Sequence, residues 1–305
     1  MSFEPKDFFS RQAATQAGVT WRALASTDYR RVAHDQHIDA GVLDNLILRC
    51  RALVPFLSGR PFSHHTAASL WGGSVPVSAA LHVAVQGQDR TNRTGLKIHR
   101  FRYPLDLARR LSFPVTSPEM TFGHMARELD LIDLVGLGDS LVRAGCTSPN
   151  SLMRQADRWP GQHRRTLVSA AQLVRSGVDS VLETRTRILL IFAGLPEPVC
   201  NVVLNRQDDG NVLWRLDMGY PAWKVAIEYD GVWHRDPAQV ERDAVRRSAL
   251  GRLGWEVIVV TSRDLHERPA EVLARVKGAV ERAGAKRIDL KDAWRRHFPT
   301  PLRAA

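Results

Sequence analysis

From Ser180 to Gly284 the hydrophobic period switches repeatedly between that of a helix and that of a strand, and the order of the switches leaves few folds open. "SVLETRTRILLIFAG" (180–194) reads as a helix, with Ser180 able to cap it and Gly194 and Pro196 stopping it. "VCNVVL" (199–204), "NVLWRLDMG" (211–219) and "KVAIEYDG" (224–231) read as strands, the last two joined by a turn around Pro221. "DPAQVERDAVRRSALGRLG" (236–254) is a helix with Asp236 at its cap and Pro237 at its first position. A fourth strand, "WEVIVVT" (255–261), and a final helix over 262–284, broken near Pro269, complete the series. Helix, three strands, helix, strand, helix predicts a mixed α/β sheet with helices on its faces, an α/β (α+β) fold.

Within this unit the acids are out of place. Asp217 is expected at the end of one strand and Glu228 in the next, so a turn near 220–222 puts them side by side. Glu228 and Asp230 are two apart and face the same way, while Ile227 and Tyr229 face the other. Carboxylates gathered at one sheet edge repel one another unless a cation sits among them. Hard oxygen donors suit Mg²⁺ or Mn²⁺, and a metal so held polarises a phosphodiester and acidifies an attacking water. Each acid also has a plainer reading. Ser180 and Glu183 fit a capping box. Asp217 and Glu228 could pair with Arg215 or another arginine, and Asp230-Gly231 could simply end a strand. His234 fits a loop, and Asp243 fits a surface pair with Arg246 or Arg247. Lys224 lies about 13 Å from Glu228 along an extended strand, too far to serve the same site.

The first half reads differently. Residues 7–38 give a helix stopped by Gly18, a shorter helix "WRALAS" capped by Thr20, then two short extended pieces in "DYRRVAHDQHI". That is the order of a small winged helix-turn-helix, over about residues 7–40. Trp21, Arg22, Arg30 and Arg31 would then lie near phosphates or groove edges. "GVLDNLILRCRALVP" (41–55) and "FSHHTAASLWG" (62–72) read as helices. Residues 81–103 read as a hairpin, with Arg90, Arg93, Arg100 and Arg102 adding positive charge. Residues 117–145 read as helical, with a glycine interruption near 136–138. Turn formers and basic residues over 151–179 suggest a linker, dividing the chain into 1–150, 180–284 and a tail of 285–305.

Charge narrows the choice of partner. There are 43 Lys and Arg against 32 Asp and Glu, a formal net charge of +11. That surplus favours an anionic partner, nucleic acid foremost, against the plainer reading of an arginine-rich surface. Three scattered cysteines suggest neither a zinc knuckle nor a disulfide framework. The expected setting is cytoplasmic, with no apolar leader and no membrane span.

"RLD…VAIEYDGVWH…ERDAVRRSALGRLGWEVIVVT" resembles the PD-(D/E)XK nuclease superfamily, and more closely its very-short-patch-repair endonuclease-like, DUF559-type domains, over roughly 180–280. The resemblance implies metal-dependent phosphodiester cleavage, with Asp217 and Glu228 as ligands of Mg²⁺ or Mn²⁺ and Asp230 as a third. Glu183 matches an acid found on the preceding helix, and His234 a histidine that activates water or protonates the leaving group. Asp230 stands where the superfamily often has lysine, a departure that related domains share. "FSRQAATQAGVTWRALASTDYRRVA", with "SHHTAASLWG" and residues 114–145, is similar to the winged-helix region of AbiEi-type antitoxins. The usual "GVY" after the wing is "DQHI" here. This second resemblance implies DNA binding through Trp21, Arg22, Arg30, Arg31, Arg90 and Arg93. The expected protein is thus a DNA-binding, Mg²⁺-dependent endonuclease, with a homodimer as the assembly considered. Two alternatives stay open: a non-catalytic antitoxin-like regulator on a nuclease scaffold, and an RNA-cleaving toxin.

Overall fold

The structure, a computed structural model, describes residues 8–33, 35–42, 45–87, 95–205, 212–230 and 237–298. The chain divides into two compact units. The first comprises Met1–Leu129 and Asn150–Val168, the second Asp130–Pro149 and Ser169–Ala305.

The first unit opens with β1 (Phe9–Ser10), α1 (Arg11–Gln16) and α2 (Trp21–Leu24), followed by β2 (Tyr29–Ala33) and β3 (Gln36–Asp39). Ser10 caps α1 by accepting the Ala13 N–H, and Thr20 caps α2 by accepting that of Ala23. Gly18, at φ +81°, makes the turn between the two helices. The strands form an antiparallel sheet of order β1-β3-β2. Phe9, Ala14 and Leu24 pack beneath it with Tyr29 against them. Helix, turn, helix and hairpin therefore follow in the expected order.

Next come α3 (Leu46–Leu53) and α4 (His64–Leu70), both shorter than the sequence suggests. The segment expected to be a hairpin is a parallel pair, β4 (Leu81–Gln86) with β5 (Leu96–Phe101), in register Leu81↔Leu96. The physical reason lies in burial. Residues 81–85 are buried without alternation, as in a strand covered on both faces. The other edge of β4 is taken by residues 61–63, through Ser63 N–H to His82 O and Ala84 N–H to Pro61 O. A second pair, β6 (Leu107–Arg110) with β7 (Phe113–Thr116), is antiparallel, and Phe62 bridges both β4 and β7.

Over 117–145 there are two helices, α5 (Pro118–Met125) and α6 (Leu131–Arg143). The break falls at 126–130, not at the glycines, because Asp130 caps α6 by accepting the Asp133 N–H. Gly136 lies buried inside α6 facing Val181, where a Cβ would make an ordinary contact at 3.5 Å, and the helix runs through it unbroken. The expected linker is also structured. It holds α7 (Pro149–Asp157) and α8 (Arg164–Leu173), within which the chain passes into the first unit and back. The boundary therefore differs from the 1–150 and 180–284 division, and α6 belongs with the second unit.

The second unit continues with α9 (Val181–Phe192), β8 (Val199–Asn205), β9 (Val212–Tyr220), β10 (Val225–Asp230), α10 (Pro237–Arg252) and β11 (Glu256–Thr261). It closes with α11 (Ser262–Glu267) and α12 (Pro269–Arg282), separated where Pro269 starts a new helix. The sheet has the order β11-β10-β9-β8. β9 runs antiparallel to both β8 and β10, and β11 is parallel to β10. This is the mixed α/β sheet expected. Val202, Leu216, Ala226, Leu250 and Trp255 form one core cluster of it. A fully buried Arg187 on α9 is tied to Asp139 on α6 at 2.9 Å. Among the described residues no helix is long and apolar enough to cross a membrane.

Candidate functional site

The acid edge arises where β9 and β10 part. Their ladder runs Val225↔Tyr220, Ala226↔Gly219 and Ile227↔Met218, and no further pair follows. Gly219 permits the approach, since a Cβ there would meet the Val225 carbonyl oxygen at 2.7 Å. At the next step the Asp217 side chain replaces the ladder, its Oδ2 accepting the Tyr229 N–H at 2.8 Å. Asp217 thus lies inside β9, three residues from its end, and its carboxylate reaches the strand that carries Glu228.

Glu228 is held by Arg246 of α10. Nη2 donates to Oε1 at 2.6 Å and Nη1 to Oε2 at 2.9 Å, while Nη2 also donates to the Arg215 carbonyl at 2.7 Å. Asp230 pairs with Thr261 across the parallel ladder, and strand alternation puts it on the face of Glu228. Glu183, on the first turn of α9, is buried. Ser180 caps that helix by accepting the Glu183 N–H at 3.1 Å, and Glu183 Oε2 accepts the Asp179 N–H at 2.9 Å. The capping reading of Glu183 therefore holds for its backbone, with the carboxylate reaching one residue beyond the cap.

The electrostatics tie the acids together. Burial holds the carboxyl groups of Glu183, Asp217 and Glu228 above their usual range. The Asp217 charge pushes Glu183 and Glu228 further up, and Arg246 pulls Asp217 and Glu228 back. Arg246 sits among them as the one cation found bonded to Glu228 among the described residues. The raised carboxyls come first from burial, and Arg246 offsets part of that rise at Asp217 and Glu228.

Other expected site residues fall elsewhere. Lys224 is outside β10, in the left-handed region at φ +51°, with Nζ on the Leu253 carbonyl at 3.0 Å. His234, Arg90 and Arg93 lie outside the described residues. On the first unit, Trp21 begins α2 and is 72% exposed, with the Arg22 guanidinium 5.8 Å over its ring. Arg30 donates to the Val42 carbonyl at 2.9 Å, and Arg31 stands exposed on β2 opposite His37.

A second constellation was not anticipated from the sequence. His64, His82, His99 and His124 meet in the first unit beside a cavity of about 560 Å³, whose wall includes Phe101, Tyr103 and Trp159. Burial holds all four imidazoles well below their usual range, His99 at about 4 and His82 and His124 at about 3, so they are neutral at pH 7. The available signal was the run of histidines over residues 64–124. His82 and His99 come together diagonally across the parallel ladder, where Lys97 stands opposite His82 and Ala84 opposite His99.

No family model matches the chain. It is 28% identical over 244 residues to an uncharacterized protein of Mycobacterium tuberculosis, known as MT2308 in strain CDC 1551 and Rv2248 in strain H37Rv. That alignment covers 78% of this chain and 88% of the relative. Among solved structures the chain is similar to the RV2827C protein of M. tuberculosis, with 16% identity and a TM-score of 0.37, over 54% of this chain and 72% of that one. A likeness at that score is too loose to transfer a fold or a role.

Proposed function

We propose that the protein is a DNA-binding, divalent-metal-dependent endonuclease whose second unit is a PD-(D/E)XK-type core. The observation that carries this reading is that Asp217 and Glu228 come next to each other where β9 and β10 separate, with the Asp217 charge felt at Glu183. The series α9-β8-β9-β10-α10-β11, with β11 parallel to β10, agrees with the superfamily resemblance in the sequence.

The donor set fits a hard dication. Asp217 and Glu228 would hold Mg²⁺ or Mn²⁺, with Asp230 on the same face of β10. Bound there, the metal supplies polarisation of the phosphodiester and an acidified water. Arg246 must leave Glu228 for this to occur, and a guanidinium released beside the site is a bidentate phosphate ligand. Glu183 adds negative charge behind Asp217. His234 is the proton carrier that the sequence resemblance assigns. In the first unit, exposed Trp21 with Arg22, Arg30 and Arg31 would contact the DNA backbone, and the first unit's charge would make binding salt-dependent.

Supercoiled plasmid incubated with the protein and Mg²⁺ or Mn²⁺ tests the reading. Nicking by the wild type, lost in Glu228→Ala and Asp217→Ala, is expected. An inert wild type, or equal nicking by Glu228→Ala, rejects it. A structured RNA in parallel separates a DNA nuclease from an RNA-cleaving toxin.

One observation favours a second reading. The bidentate Arg246–Glu228 pair satisfies the carboxylate without a metal, as a retired site on a regulatory scaffold would. That protein would bind DNA with the same affinity in EDTA as in Mg²⁺.

A further inference from the structure

We propose that His64, His82 and His99 form a separate site for a transition-metal dication of the Zn²⁺ class, with His124 buried beside them. It does not depend on the nuclease reading.

The ligands come from three elements of the first unit: the start of α4, β4 and β5. One nitrogen of each of His64, His82 and His99 lies within 4.8 Å of the others. His82 Nδ1 and His99 Nε2 are already 3.0 Å apart.

The outer hydrogen bonds aim these nitrogens inward. Ser78 Oγ donates its proton to the Ala80 carbonyl at 2.9 Å, so it can only accept from His82 Nε2, also at 2.9 Å. His82 therefore carries its proton on Nε2 and turns the Nδ1 lone pair toward His99. His64 Nδ1 bonds Ser63 Oγ at 3.1 Å, which leaves Nε2 as its donor atom. His64 itself is held at φ +47°, a strained backbone for a residue with a side chain, which fixes where its ring enters.

His124 supplies the second, independent sign. It is 3% exposed, and neither ring nitrogen has a hydrogen-bond partner among the described residues. Its ring is parallel to that of His64, with centroids 4.9 Å apart. A buried imidazole with both nitrogens unpaired costs the fold stability, and a polar ligand or ion entering beside it would lower that cost at one nitrogen.

The donor chemistry selects the ion. Neutral imidazoles suit Zn²⁺, Cu²⁺ or Ni²⁺ and give Mg²⁺ no oxygen to bind. The nearby Lys97 charge is engaged by Glu128 at 3.1 Å. In the present arrangement the His64 ring stacks on His99 at 3.4 Å, so ligation requires it to turn about χ2, giving up its present Ser63 hydrogen bond for the metal. The adjoining cavity, which His64 and His99 line, gives the room and leaves one coordination position facing a ligand.

The test uses the full-length protein, stripped with EDTA and titrated with Zn²⁺ against a chromophoric chelator, then with Co²⁺ for its visible spectrum. One tight equivalent and the intense bands of four-coordinate Co²⁺ are expected. His82→Ala and His99→Ala should abolish both. Ser78→Ala, which loosens only the outer hydrogen bond, should weaken binding about 10-fold or more. Glu228→Ala should bind Zn²⁺ like the wild type, which separates this site from the acid edge. No Zn²⁺ uptake by folded wild type overturns the proposal and leaves a His82–His99 hydrogen bond as the whole content of the cluster. Undiminished uptake by folded His82→Ala overturns it equally. Should the alanine variants fail to fold, the wild-type stoichiometry and Co²⁺ spectrum decide alone.

Discussion

Arg246 and Glu228 are joined by two hydrogen bonds, at 2.6 and 2.9 Å, across the gap between helix α10 and strand β10. The guanidinium is the cation that lets Glu228 remain in a half-buried strand beside Asp217. Replacing it with an apolar side chain of similar length leaves that carboxylate without its main partner. Arg246→Met should lose about 1–3 kcal/mol of stability. Saturating Mn²⁺ should restore more stability to this variant than to the wild type, because the ion no longer competes with a guanidinium. Thermal melts of both proteins with and without Mn²⁺ measure the difference. Equal metal effects would mean that the ion does not enter at Glu228.

Asp217 has the opposite character. Burial raises its carboxyl above the usual range, so the folded state prefers the protonated form. A group with a raised folded pKa supports the fold below its unfolded value and loses that support as pH rises through its folded value. At neutral pH the charge is therefore a burden in the absence of metal. Asp217→Asn keeps an oxygen to accept the Tyr229 N–H and removes the charge. It should raise the melting temperature in EDTA at pH 7, on the order of 2 °C. The gain should shrink as pH falls from neutral toward 4, since the wild-type carboxyl protonates. A gain independent of pH would show that charge is not its source.

The strongest structural pair lies elsewhere in the second unit. Arg187 is fully buried, donating to Asp139 at 2.9 Å and to the Leu173 carbonyl at 2.8 Å. Asp139 also accepts from Thr184 Oγ1 at 2.7 Å and from the Arg175 N–H at 2.8 Å. Asp139→Ala leaves the buried guanidinium with only the Leu173 carbonyl and the longer 3.4 Å contact to Glu197, strands two further donors, and should cost about 3–5 kcal/mol. The double variant Asp139→Leu with Arg187→Met should recover part of this and not all, because Thr184 and the Arg175 amide still lack an acceptor. Urea denaturation gives both values. A double variant as unstable as the single one would contradict the pairing.

The second unit was legible in the sequence because its signals are local. Pro221, Pro237 and Pro269 mark starts of turns and helices, and the strands between them alternate or run apolar as their burial requires. Neighbouring strands joined by short turns also pair with each other, so the sequence alone puts Asp217 and Glu228 together. That an arginine could pair with Glu228 was readable, but not which one, since Asp243, three residues before Arg246 on the same helix, offered it a nearer partner. In the first unit the decisive facts are non-local. Antiparallel and parallel pairing of β4 and β5 look alike in sequence, and residues 61–63 claim the other edge of β4 from far along the chain. The histidine cluster depends on that register, so it stayed hidden with it. Gly136 and Gly138 looked like a helix break because glycine weakens a helix interior, whereas both lie buried within α6, where tertiary packing outweighs that local preference.

The central claim, that the parted ends of β9 and β10 form a divalent-metal site, is tested most directly by diffraction from a Mn²⁺-soaked crystal at the manganese absorption edge. An anomalous peak bridging Asp217 and Glu228, with Arg246 displaced from the Glu228 carboxylate, is the predicted result. Arg246 still clamped on Glu228, with no peak at that edge at millimolar Mn²⁺, would contradict it.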